Sequence, residues 1–98
     1  MHLGSVKQLA LDLAGEDWYG LYELIWRLNA RYPGESEAKR LSLSIEAMTD
    51  LVKCRHLVVV RFDRVPTPLS QAEGLARLQE GCNWEPQNDS PSFGFGRA

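Results

Sequence analysis

One short run constrains this chain more than any other: "HLVVVRF", His56 to Phe62. Its β-branched residues read as a strand. The preceding "IEAMTDLVKC" carries its apolar residues at helical spacing and leads into that strand with almost no joint. A lone strand cannot satisfy its own N–H and C=O groups, so a partner strand must exist elsewhere. No second stretch announces itself as plainly. A chain of helical patterns that must also hold a small sheet is an α+β domain.

The 98 residues suffice for one domain and not two. The apolar share is 44%, with three Trp, three Tyr and three Phe, which is enough for one core and argues against global disorder. The formal charge is −2, whereas a domain held to nucleic acid by bulk electrostatics is usually basic. The longest apolar run of the strand, Leu57 to Val60, is too short to cross a membrane. The opening "MHLGSVKQLALDLAGED" has no basic region followed by a long apolar core, so no signal peptide is expected. Cys54 and Cys82 do not make a disulfide framework. A reduced, cytoplasmic protein is the expectation.

Four helices are expected. The first starts at Ser5, where "SVKQ" matches a capping box with Gln8, and ends at Gly15. The second, roughly Trp18 to Tyr32, is capped by Asp17. Its apolar residues cover more than half of the helical wheel, which places it at the centre of the core. Asn29 is the one polar residue on that apolar face, and a buried amide usually bonds a loop backbone. "YPGES" breaks the chain, and Ser36 caps a third helix from about Glu37 to Cys54. Leu41, Ile45, Met48, Leu51 and Val52 form its buried stripe. "RVPTPLS", with two prolines, reads as an extended loop. Ser70 and Glu73 form a second capping box, for a fourth helix that runs to about Glu80 and is closed by Gly81. Trp84 is expected to anchor the chain on the core. The domain proper is residues 1–86. Residues 87–98 are a polar tail in which Phe93 and Phe95 alternate with small residues, a pattern that suits a last strand or disorder equally.

Three helices followed by a strand, the third leading straight into it, is similar to the winged helix-turn-helix group. The resemblance covers roughly Asp17 to Phe62 and is one of pattern. "DWYGLYELIWRLNARYPGESEA" also resembles stretches of small uncharacterised bacterial proteins of winged-helix type. No functional residue motif comes with that likeness. It implies a small winged-helix-like fold: three N-terminal helices, a strand or wing, a fourth helix and a C-terminal strand if the tail is ordered.

DNA binding is the usual work of such a fold, and the residues weigh against it here. "SEAKRLSLSIEAMTDLVKC" has no Gly or Pro and leaves no place for a turn, unless Ser42 and Ser44 hide a bend. Its polar face sets Lys39 and Lys53 against Glu46 and Asp50, and carboxylates facing phosphates are repelled. No Arg or Asn stands mid-face to read a base. The best case for DNA is Lys53, Arg55, Arg61 and Arg64, with Asp63 the one acid among them, at the helix end and wing. The plainer account is a solvated strand end, with Lys53 and Arg55 complementing the helix C-terminus.

Other chemistry finds less. Cys54, His56 and Cys82 lack zinc spacing and a fourth ligand, and a buried Cys54 thiol is the expectation. No orienting acid or oxyanion donor accompanies a Cys/His pair. "GFG" lacks the surroundings of a phosphate loop. No metal or cofactor and no catalytic residue is expected. The aromatics of the second helix exceed what one small core needs, and Trp and Tyr dominate binding hot spots. Tyr19, Trp26 and Tyr32 are therefore the candidates for a partner surface. The expected function is a non-enzymatic protein-interaction module, with self-association its simplest form. The alternative is a DNA-binding regulator using Lys53, Arg55, Arg61 and Arg64.

Overall fold

A computed structural model describes residues 1–86 and 92–98. The chain is an α+β domain. In order it forms α1 (Leu3–Glu16), β1 (Tyr19–Gly20), α2 (Leu21–Arg31), α3 (Glu37–Lys53), β2 (Leu57–Phe62), β3 (Pro66–Pro68), α4 (Gln71–Leu78), a 3-10 turn (Gly81–Trp84) and β4 (Ser92–Arg97). The sheet is antiparallel, in the order β1-β4-β2-β3.

α1 begins earlier than its capping box suggests. His2 is the cap, and its Nδ1 accepts from the Ser5 N–H at 3.3 Å. Gln8 is turned away, donating to Asp12 at 2.9 Å. Gly15 lies inside the helix rather than past its end, and the Asp17 N–H closes the last turn on the Leu13 carbonyl. Asp17 therefore ends α1 and does not cap α2.

α2 is shorter than its apolar pattern implies, because Tyr19 and Gly20 form a strand. Gly20 is the cap, and its N–H donates to the Glu23 carboxylate at 2.6 Å. Leu21, Leu24 and Leu28 are fully buried, whereas Trp26 is 55% exposed and Asn29 is exposed. The helix packs on one side and is not wrapped. Its broad apolar arc serves two surfaces, a core and a second face turned to solvent. Asn29 is accordingly no buried amide.

α3 starts at Ser36 as its sequence implies, the hydroxyl accepting from the Lys39 N–H at 3.1 Å. It is unbroken. Its buried face is rotated from the apolar stripe: Arg40, Ser44 and Ala47 join Met48, Leu51 and Val52, while Leu41 and Ile45 are half-buried. The polar side chains there are bonded to backbone carbonyls, with the Arg40 Nε a buried donor that has no partner among the described residues. Ser44 donates to the Arg40 carbonyl at 2.7 Å, and Arg40, 8% exposed, donates from Nη1 to the carbonyls of Tyr32 and Glu35. The guanidinium thus pins the α2–α3 turn. α3 ends on Arg55, which has φ 61°. The Arg55 N–H returns to Val52 O and the His56 N–H to Leu51 O, the paired bonds of a Schellman motif.

"RVPTPLS" is extended, but it is also paired, with Pro66, Thr67 and Pro68 opposite Phe62, Arg61 and Val60. The Leu69 N–H donates to Val59 O at 2.9 Å, so the hydrogen-bonding positions of this segment are Thr67 and Leu69. Pro66 and Pro68 turn their nitrogens outward, where a missing N–H costs nothing. α4 is capped by Ser70, whose hydroxyl accepts from Glu73 N–H at 3.2 Å. It stops at Leu78, short of Glu80, and Gly81 opens the 3-10 turn instead of closing the helix. The Gln71 side chain donates to the Val52 and Lys53 carbonyls, seating α4 on the end of α3. Trp84 anchors as anticipated, buried with its indole N–H on Leu78 O at 2.9 Å.

The partner strand for "HLVVVRF" is "SFGFGR", an inner strand between β1 and β2. Residues 87–91, the start of the anticipated tail, lie outside the described residues. Leu57, Val59 and Phe95 enter the common core with the helices, and Tyr19 and Phe93 pack against it. All five lie on one side of the sheet by register.

Candidate interaction surface

The other side of the sheet is built differently. By register it carries Val58, Val60 and Phe62 from β2, Gly94 and Gly96 from β4, and Gly20 from β1. None of these joins the helical core. At each glycine an aromatic ring occupies the place of a Cβ: Tyr22 at Gly20, Phe62 at Gly94, Trp18 at Gly96. Trp18 stands opposite Gly96 by continuation of the β1–β4 register and folds across it. The alternation in "GFG" now has a physical reason. Phe95 is in the core, and the two glycines make room for rings on the far side.

Trp26 extends this surface. Its ring meets Tyr22 edge-on, with centroids 4.8 Å apart. Trp18 is 38% exposed and Trp26 55%. A further exposed apolar residue, Val65, stands at the tip of the β2–β3 hairpin.

Of the residues singled out from sequence, Trp26 alone lies on this surface as an exposed aromatic. Tyr19 is half-buried on the core side, 6.5 Å from the Phe95 ring, with Arg27 over its own ring at 5.9 Å. Its hydroxyl donates to Glu16 at 3.0 Å, a bond that holds the phenol above its ordinary pKa, with burial and the Glu16 charge adding to the effect. Tyr32 is half-buried at the end of α2, its carbonyl taken by Arg40. Trp18, Tyr22 and Phe62 were not among the candidates. The signal that could have found them is three glycines at strand positions, each needing a ring from elsewhere in the chain.

The cations are not brought together. Lys53 and Arg55 stand before β2, Arg61 and Arg64 at its far end, separated by a strand of roughly 16 Å at about 3.3 Å per residue. Arg61 and Arg64 sit at the hairpin; Arg55 closes α3. The polar face of α3 is partly consumed by ion pairs, Lys39 with Glu35 at 3.2 Å and Asp50 with Lys7 at 3.0 Å. Cys54 is exposed, not buried, because the helix ends before its side chain reaches the core. No cluster of three or more His, Cys, Asp or Glu that could hold a metal occurs among the described residues. No helix among them is long and apolar enough to cross a membrane.

The backbone at the β1 edge is also engaged. The Trp18 N–H donates to the Asp17 carboxylate at 2.7 Å, and the Gly20 N–H goes to Glu23. Searched against protein-family models, curated proteins and solved structures, the chain finds no match in any of the three.

Proposed function

We propose that this chain is a non-enzymatic protein-interaction module of winged-helix type, acting in the cytoplasm through the aromatic side of its sheet. The observation that carries the reading is Trp26, 55% exposed and set edge-on against Tyr22, with a second exposed indole, Trp18, on the same side of the sheet. Large rings held rigidly at a surface lose little entropy on binding, which is why Trp and Tyr dominate interface energetics. The test is capture of protein from a bacterial extract by the immobilised chain, beside Trp26→Ala and Trp18→Ala variants. A partner retained by the parent and lost in the variants supports the reading. Identical capture profiles for all three, together with identical sedimentation, remove it.

A DNA-binding regulator is the second reading, favoured by one observation. The chain runs helix, five-residue turn, helix and then directly into a strand hairpin, with Arg61 and Arg64 at the hairpin end. That order supports the winged-helix assignment and the phosphate contacts that go with it. Two separated pairs of cations would give weak binding that falls steeply with salt. Anisotropy of labelled duplex DNA at low and moderate salt tests it, and binding that survives Arg61→Glu excludes this surface.

A further inference from the structure

We propose that the cavity between α2, α3 and the 3-10 turn binds a free α-amino acid with an aliphatic side chain. No sheet residue lines this cavity, so the site is separate from the aromatic side of the sheet.

Arg40, which lines the cavity, carries a charge that the protein leaves uncompensated. It is 8% exposed, and a guanidinium does not give up its proton in a protein. Buried charges are ordinarily matched by an opposite charge. Arg40 makes no ion pair among the described residues. Its Nη1 donates to two neutral acceptors, the Tyr32 and Glu35 carbonyls, and its Nε bonds nothing. Those carbonyl bonds also hold the side chain in place. Glu37, three residues earlier on α3, lines the same cavity and still does not pair with it. The group that suits Arg40 is a carboxylate, which neutralises the charge and accepts from a free N–H.

A plain carboxylic acid does not suit the rest of the cavity. Glu37 and Glu85 line it as well, both exposed and in no ion pair among the described residues. They repel an anion and attract an ammonium. A ligand with carboxylate and ammonium on one carbon answers both demands. Its remaining part is apolar, because Ile25, Leu41 and Trp84 form the other walls. The Trp84 indole N–H is already taken by the Leu78 carbonyl. Ile25 and Leu41 are half-buried, apolar residues that the core does not fully take up. The cavity volume is about 170 Å³. Drug-sized ligands fill roughly 300–1,000 Å³, so this cavity has room for one amino acid and not for a peptide.

Isothermal titration calorimetry of the full chain with L-leucine tests this, with far-UV circular dichroism checking that each variant folds. L-leucine is expected to bind with a dissociation constant below about 1 mM. L-leucinamide lacks the carboxylate and N-acetyl-L-leucine lacks the ammonium. Each is expected to bind at least roughly tenfold more weakly. Leu41→Trp fills the cavity and is expected to abolish binding. Glu85→Gln, at an exposed position, is expected to weaken it by roughly threefold or more. If Leu41→Trp does not fold, Glu85→Gln and the two analogues carry the test. No saturable binding of leucine, isoleucine or valine, by heat or by shifts of amide resonances, overturns the proposal. Leucinamide bound as tightly as leucine overturns it, because Arg40 then has no role, and N-acetyl-leucine bound as tightly does the same for Glu37 and Glu85. Binding unchanged in the folded variants places leucine elsewhere and overturns it too.

Discussion

The indole of Trp18 lies across Gly96, its six-membered ring standing where a Cβ would be. Gly94 is covered in the same way by Phe62, and there the Tyr19 carbonyl oxygen also stands within the space of a Cβ. The difference sets an order. In Gly96→Ala the ring can swing aside, at a cost of about 1–3 kcal/mol, the usual range for overpacking. In Gly94→Ala a strand backbone must move, so the loss is expected to be larger. Urea denaturation of both variants checks the order. In Trp18→Ala/Gly96→Ala the second substitution is expected to cost less than it does alone, since the ring it displaces has gone.

Arg55 closes α3 in the left-handed region, with φ 61°. Glycine takes that conformation without a Cβ clash and is the usual residue at this place in a Schellman motif. Arg55→Gly is expected to raise stability by about 0.5–1 kcal/mol, the backbone relief outweighing the added freedom of the unfolded chain. A higher urea midpoint at unchanged slope is the expected outcome. If the same variant also weakens DNA binding, the side chain rather than the fold carries that contact.

How much of this was legible in the sequence depends on how local each cause is. Ser36 and Ser70 were readable as caps because the hydroxyl bonds a backbone three residues away. The strand at Leu57 was readable because its residues favour a sheet on their own. Its partner was legible only as a strand at even odds with disorder, because glycines disfavour strands and "SFGFGR" works with rings supplied by Trp18 and Phe62. β1 was hidden inside a helical pattern: Trp18, Leu21 and Tyr22 fit a helix as well as they fit a strand followed by one. β3 was hidden by its prolines, which exclude an inner strand and not an outer one. Trp26 was legible as a surface aromatic from its place at the edge of the apolar arc. Tyr19 and Tyr32 look the same in sequence, and only their contacts with Phe95, Glu16 and Arg40 remove them from that surface.

Tyr19 gives the account a dependence on pH. The hydrogen bond to Glu16 raises its folded-state pKa above 10.0. A group raised on folding contributes stability that is fully present below its unfolded value and lost as pH rises through the folded one. Stability is therefore expected to decline from about pH 10 upward through ionisation of this phenol. Glu16→Gln removes the carboxylate and should bring the Tyr19 titration, followed by absorbance at 295 nm, back toward lower pH. An unchanged tyrosine titration in that variant would falsify the assignment.

The three tryptophans offer the most direct test of the central claim, because two are exposed and one is buried. Trp18 and Trp26 lie on the aromatic side of the sheet, and the Trp84 indole N–H is buried on the Leu78 carbonyl. The measurement is a nitrogen–proton correlation spectrum of the indole N–H groups, recorded as the protein is concentrated and again with a captured protein partner added. A surface that docks protein predicts that the Trp18 and Trp26 resonances move in one of these series while Trp84 stays in place. Three stationary resonances in both, or movement of Trp84 alone, would contradict it.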